Sequence, residues 1–134
     1  MKHTTPRHVI FGSGAVGTAI AEALVRRGEP VRIVNRSGRA DVPDGVEVAA
    51  GDAADPAFTT AVAAGAAVVY QALNPPYHRW LQEFPALQAG VLAAAEAAGA
   101  RMVSMDNVYS YGPPGASGWL PRRASDSPMS GMKV

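Results

Sequence analysis

The sequence predicts an α/β fold, a doubly wound parallel sheet of about five strands with helices on both faces. Two observations support this prediction. Short apolar runs alternate five times with longer stretches of helical periodicity, and the first apolar run ends in a glycine-rich turn that opens a helix. Right-handed crossovers between parallel strands then give the expected strand order 3-2-1-4-5.

The first half of the chain supplies three strands and one helix. Residues 8–11 are short, apolar and followed by glycine, which is typical of a buried parallel strand. Residues 15–27 have an apolar face and precede a glycine, which predicts the first crossover helix. The β-branched run at 31–34 predicts the second strand, and the short run at 46–49, beyond a polar loop, predicts the third.

The second half is expected to complete the sheet. Asp55 before a proline is a favourable helix start, and that helix is expected to run to about residue 64. Residues 66–73 predict the fourth strand, and a turn of helix is expected within 77–84. The longest helix is expected to begin at Pro85 and to end near residue 98, before the fifth strand at 101–105.

The glycine-rich turn is the strongest functional signal. It reads Gly12-Ser13-Gly14-Ala15-Val16-Gly17, a G-x-G-x-x-G between a strand and a helix. In a dinucleotide site the first glycine permits the sharp turn, the second lets a pyrophosphate approach the backbone, and the third allows close packing of helix on strand. The alternative is a strand-to-helix turn that binds no ligand.

The end of the second strand indicates which dinucleotide would bind. Asn35, Arg36 and Ser37 stand where an NAD site usually has an acidic residue for the ribose hydroxyls. An acid would repel a 2′-phosphate, whereas Arg36 can grip one bidentately and Ser37 can donate a further hydrogen bond. We therefore predict NADP as the cofactor, with NAD possible; the alternative is an ordinary solvated arginine.

Two further positions are candidate cofactor contacts. Asp52 follows the third strand, where a carboxylate can accept a hydrogen bond from the adenine amino group. Leu73 and Asn74 lie at the carboxyl end of the fourth strand, where the nicotinamide half would pass. The alternatives are a capping or surface aspartate and a turn asparagine before two prolines.

Composition excludes several other classes of function. A net charge of +1 gives no electrostatic basis for binding nucleic acid or a membrane surface. The chain has no cysteine, and its three histidines are too scattered for a metal site, so no metal is expected. No long apolar stretch predicts a signal peptide or membrane span, and a cytoplasmic location is expected.

These motifs together resemble a known family. The segments 12–17, 35–37, 51–55, 73–75 and 106–113 resemble the extended or atypical short-chain dehydrogenases/reductases, the NAD-dependent epimerase/dehydratase-like proteins. The resemblance implies a Rossmann-like NAD(P)-binding domain over residues 1–112. Residues 113–134 are expected to be a loop or disordered tail, and the second half of the fold is expected to be incomplete, as in a truncated chain.

The resemblance also identifies candidate catalytic residues. The family uses a serine or threonine after the fifth strand and a Tyr-x-x-x-Lys whose lysine lowers the pKa of the tyrosine. Here Asn107 stands at the serine position, and no tyrosine stands four residues before either lysine. The remaining candidate catalytic residues are Asn107, as a hydrogen-bond donor to a substrate carbonyl, and Tyr109 or Tyr111, as a proton donor.

Three functions stay open at this stage. The first is an NADP-dependent oxidoreductase or epimerase acting on an unidentified small molecule. The second is a non-catalytic dinucleotide-binding module or truncated relic, and the third is the N-terminal domain of a ketopantoate-reductase-like enzyme. A homodimer or aggregation is also expected, because the fifth strand would have an open edge.

Overall fold

Residues 6–105, the part of the chain that the computed structural model describes, form five strands and three α-helices. The strands are β1 His8–Phe11, β2 Val31–Asn35, β3 Glu47–Ala50, β4 Val68–Gln71 and β5 Arg101–Ser104. The helices are α1 Ala15–Arg26, α2 Pro56–Val62 and α3 Trp80–Ala98, with a 3₁₀ turn at Tyr77–Arg79 before α3. All strand pairs are parallel and the order is β3-β2-β1-β4-β5, which confirms the predicted fold class and strand order.

The central strand β1 is buried on both faces. Val9 and Phe11 pack with the helices α2 and α3 on one face of the sheet, and Ile10 packs with α1 on the other. Alternating side chains on a strand point to opposite faces, so a strand covered on both sides is apolar throughout. The continuous run Val9-Ile10-Phe11 is therefore explained by two helical layers.

The start of α3 differs from the prediction. The helix begins at Trp80, so Pro85 lies inside it and is not its first residue. Two contacts between residues four apart stabilise the start of α3. The Trp80 ring stacks on the buried Phe84 with ring centroids 4.5 Å apart, and Arg79 forms an ion pair with Glu83. Pro85 has no N–H, so it cannot donate the helical hydrogen bond to the carbonyl oxygen of Leu81. Leu81 is 82% exposed.

The other boundaries shift by a few residues. The strand β4 is shorter than the predicted 66–73, because the N–H of Leu73 bonds to the side-chain oxygen of Gln71 instead of to a neighbouring strand. The strand β3 starts one residue later than predicted, where Glu47 pairs with Arg32 of β2 at 2.9 Å. The predicted domain end at residue 112 and the predicted tail 113–134 lie outside the described residues.

Parallel strands place all their carboxyl ends at one edge of the sheet. The glycine turn after β1, the loop after β2 and the loop after β4 therefore meet at this edge. Between residues 6 and 105, no helix is long and apolar enough to cross a membrane.

Candidate functional site

A cleft of about 550 Å³ runs along the carboxyl edge of the sheet. It brings together most of the cofactor-binding residues predicted from the sequence. Those lining it are Gly12, Ser13, Gly14, Ala15, Val16, Asn35, Arg36, Leu73 and Asn74. The remaining three, Gly17, Ser37 and Asp52, are outside its lining.

The glycine turn has the shape that a dinucleotide requires. Gly12 has φ +117°, and a Cβ there would lie 2.6 Å from the carbonyl oxygen of Ala72, the residue directly after β4. A Cβ at Gly17 would overlap the carbonyl oxygen of Gly12, so α1 packs directly against the turn. A Cβ at Gly14 would meet nothing within 4 Å, which leaves open space above the backbone.

The N-terminus of α1 faces this open space with its positive charge unbalanced. Gly14 is its N-cap and provides no side chain to bond the first-turn N–H groups, and no acidic residue lies in that turn. Thr18 instead donates to the carbonyl oxygen of Gly14 at 2.9 Å. Unpartnered N–H groups and the helix dipole together favour an anion here.

Asn35 braces the loop after β2. Its amide nitrogen donates to Ser13 Oγ at 2.9 Å and to the carbonyl oxygen of Arg39 at 2.7 Å, and its amide oxygen accepts from the N–H of Gly38. Ser37 bonds to the backbone of Arg39 within the same loop. Asn35 thus connects this loop to the glycine turn, a structural role that the sequence alone did not indicate, while the predicted contacts of Asn35 and Ser37 with a cofactor stay predictions.

Arg36 is the cation of this half of the cleft. It follows β2, lines the cleft and is exposed, and it makes no hydrogen bond or ion pair with residues 6–105. The neighbouring residues Ser37 and Arg39 lie outside the lining. The guanidinium of Arg36 therefore keeps all its N–H donors for a ligand.

Asp52 lies beside the cleft, between two residues that line it, Gly51 and Ala53. One carboxylate oxygen accepts a hydrogen bond from the N–H of Ala54 at 2.9 Å, and the side chain is exposed. This is the local turn contact that sequence analysis offered as the alternative to an adenine contact. The adenine contact stays a prediction.

One wall of the cleft, formed after β4, was not predicted from the sequence. Its residues come from the loop, from the 3₁₀ turn and from the first turns of α3, and they are Pro75, Pro76, Arg79, Glu83 and Leu87. Arg79, Glu83 and Leu87 are spaced by four, so they share one face once the helix is known to begin at Trp80. A helix that began at Pro85 would leave Arg79 and Glu83 outside it, so the predicted boundary gives no helical face that joins these residues to Leu87.

The predicted catalytic residues Asn107, Tyr109 and Tyr111 lie outside the described residues. The structure describes the strand that leads to them. Ser104 ends β5 beside Gln71 of β4, at the same edge as the cleft.

Several solved structures share the fold of this chain. Uronate dehydrogenase from Agrobacterium tumefaciens, solved with NAD, has a TM-score of 0.65 at 22% identity over 78% of this chain and 42% of its own. WbmG from Bordetella bronchiseptica, solved with NAD and UDP, has a TM-score of 0.66 at 16% identity over 86% of this chain and 42% of its own. A UDP-glucose 4-epimerase has a TM-score of 0.64 at 20% identity over 79% and 37%.

The chain thus spans less than half of the length of these three enzymes. No curated protein sequence matches it. A family model described as NAD(P)H-binding matches residues 12–126, which begins at the first glycine of the turn. The match and the shared fold confirm the resemblance drawn from the motifs: the chain belongs to the NAD(P)H-binding family, and its fold is that of the epimerase/dehydratase-like short-chain dehydrogenases.

Proposed function

We propose that this NAD(P)H-binding chain uses NADP, and that it belongs to an oxidoreductase or epimerase of the atypical short-chain type. Arg36 carries the preference for NADP. It stands at the end of β2 inside the cleft, with no partner among residues 6–105 and no acidic residue next to it. NAD in two of the similar structures and NAD(P)H in the family description support the nicotinamide cofactor.

The residues of the cleft would divide the cofactor between them. The glycine turn and the start of α1 would hold the pyrophosphate, Arg36 the 2′-phosphate, and the loop after β4 the nicotinamide half. When bound, the reduced nicotinamide would supply the hydride for a carbonyl substrate. A charge-assisted contact of roughly 1.5–3 kcal/mol from Arg36 would favour NADP over NAD by about tenfold to a hundredfold.

The test of this preference is titration with NADPH and NADH, followed by nucleotide or tryptophan fluorescence. Arg36→Ala is expected to weaken NADPH by about tenfold to a hundredfold and to leave NADH nearly unchanged, because NADH has no 2′-phosphate. Arg39→Ala is the matched control, since it removes a cation from the same loop but from outside the cleft lining. Equal weakening of both nucleotides by Arg36→Ala, or tighter binding of NADH by the wild type, would overturn the preference.

Catalysis needs its own measurement. Reduction of aldehydes and ketones would be followed by the loss of the near-ultraviolet absorbance of NADPH. Epimerisation returns the hydride to the substrate and consumes no NADPH, so nucleotide sugars would be incubated with NADP and their products separated by chromatography. Turnover of one class would support the oxidoreductase or epimerase assignment. Saturable NADPH binding without any turnover would instead support the alternative, a non-catalytic dinucleotide-binding module.

A further inference from the structure

We propose that Arg79 is a second phosphate-binding cation, held by Glu83 and available to the pyrophosphate of the dinucleotide. This inference rests on the proposed function only in requiring that a dinucleotide occupies the cleft. It does not depend on whether the chain prefers NADP or performs catalysis.

The strand order places Arg79 across the cleft from Arg36. The strand β1 and its glycine turn lie between β2, which leads to Arg36, and β4, which leads to Arg79. All three segments line one cleft. A ligand lying over the glycine turn therefore has one guanidinium on each side, and the phosphates nearest to the turn are those of the pyrophosphate.

The charge of the cleft supports an anion at Arg79. Among the residues that line it, Glu83 is the one carboxylate, and its Oε2 lies 3.2 Å from Nε of Arg79. This contact engages Nε and leaves the terminal nitrogens of the guanidinium to bind a phosphate in the bidentate geometry that arginine favours. Exposed pairs one helical turn apart add little to stability, so exchanging Glu83 for a phosphate costs the helix little.

The backbone that carries Arg79 is braced. The indole N–H of Trp80 donates to Oδ1 of Asn74 at 3.1 Å, and the N–H of Arg79 donates to the carbonyl oxygen of Pro76 at 2.9 Å. The Trp80 ring stacks on Phe84, which is 5% exposed. Arg79 therefore starts from a fixed backbone position, and only its side chain has to move to bind a ligand.

The experiment measures the affinity of Arg79→Ala and Glu83→Gln for three probes. NADPH and NADH both contain a pyrophosphate, whereas adenosine 2′-monophosphate has the 2′-phosphate alone. Arg79→Ala is expected to weaken NADPH and NADH by the same factor, about tenfold or more, and to leave adenosine 2′-monophosphate unchanged. Glu83→Gln is expected to strengthen both dinucleotides roughly two- to fivefold, because Arg79 then has no competing partner.

Opposite signs for the two variants are the signature of the proposal. Weaker binding by both variants, with lowered melting temperatures, would show that the pair only stabilises α3 and would overturn the inference. Unchanged affinity of Arg79→Ala for NADH would overturn it as well, whatever happens to turnover. Arg26→Ala, which removes an exposed cation near the end of α1, is the control for a general loss of positive charge.

The two proposals fail separately. If Arg36→Ala affects both dinucleotides equally while Arg79→Ala and Glu83→Gln behave as described, the NADP preference falls and the role of Arg79 stands. If the wild type binds neither dinucleotide, both are overturned.

Discussion

Gly14 and Gly17 lie three residues apart but have opposite surroundings. A Cβ at Gly14 would meet nothing within 4 Å, whereas one at Gly17 would overlap the carbonyl oxygen of Gly12. We expect Gly17→Ala to lower the free energy of unfolding by roughly 1–3 kcal/mol or more through overpacking. Gly14→Ala is expected to cost about 1 kcal/mol or less as a poorer N-cap, yet to weaken NADPH strongly by occupying the space of the pyrophosphate.

Urea unfolding and NADPH titration of the two variants separate these effects. Gly17→Ala should show its defect in the unfolding curve, and Gly14→Ala should show its defect in the titration. Unimpaired NADPH binding by a well-folded Gly14→Ala would mean that no pyrophosphate approaches this turn.

Tyr70 makes the stability of the protein sensitive to alkaline pH. Its hydroxyl lies 2.8 Å from Nδ1 of His8, whose Nε2 lies 3.2 Å from Glu29. Burial, and then the carboxylate of Glu29, raise the pKa of Tyr70 above its ordinary value of 10.0, although Arg27 opposes the shift. A raised pKa means that folding favours the neutral phenol, so this stabilisation is complete below pH 10 and is lost as pH rises through the folded pKa.

The expected outcome is a stability difference that depends on pH. At pH 8 the free energy of unfolding of the wild type should exceed that of Tyr70→Phe by about 1 kcal/mol, the usual contribution of one hydrogen bond. As the pH rises above 10, the ordinary pKa of tyrosine, this difference should shrink. Urea unfolding across this range is the measurement, and a difference that stays constant with pH would contradict the assignment.

Two prolines at helix positions have opposite expected effects on stability. Pro85 lies inside α3 and is exposed, whereas Pro56 is the first residue of α2, directly after the Asp55 cap. Pro85→Ala restores a helical hydrogen bond to Leu81 and is expected to raise the free energy of unfolding by roughly 2 kcal/mol. Proline's penalty of about 3 kcal/mol in a helix interior exceeds the roughly 1 kcal/mol by which it restricts the unfolded chain.

Pro56→Ala is the matched control. The first position of a helix suits proline, so this substitution is expected to lower stability by up to about 1 kcal/mol. Thermal unfolding of the two variants beside the wild type tests both signs. A fall in stability for Pro85→Ala would mean that the proline itself supports the start of α3.

The start of α3, which was predicted wrongly, shows what local sequence does not encode. A cap or a glycine beside an element acts within a few residues, so Asp55 and the glycine turn identified the starts of α2 and α1 correctly. The start of α3 depends on the Trp80–Phe84 stack and on a hydrogen bond from Trp80 to Asn74 in the preceding loop. These contacts outweigh a proline, and no periodicity in the sequence encodes them.

The same limit applies to the candidate site as a whole. The glycine turn and Arg36 were found from their positions after β1 and β2, because parallel strands bring such turns to one edge. Arg79 and Glu83 were missed, since their place in the cleft follows from the helix start. Asn35 was predicted as a cofactor-binding residue, and its hydrogen bonds to Ser13 and Arg39 became visible only with the loop in three dimensions.

At the scale of the whole molecule, β5 is one of the two edge strands of the described sheet, the other being β3. Within residues 6–105 it pairs only with β4, and the N–H groups of Arg101 and Met105 point toward that neighbour. Because successive N–H groups alternate, those of Met102 and Ser104 face the other way, as an edge that a second strand can extend.

We therefore expect the chain to form a homodimer through this edge, and Val103→Lys to shift it toward the monomer, because a lysine on an edge strand hinders strand addition. Sedimentation velocity at several protein concentrations measures both states. Val103→Thr is the control, since threonine keeps the β-branched shape that suits a strand and adds no charge. A wild type that stays monomeric at high concentration, or a Val103→Lys variant that associates as strongly as Val103→Thr, would exclude β5 as the interface.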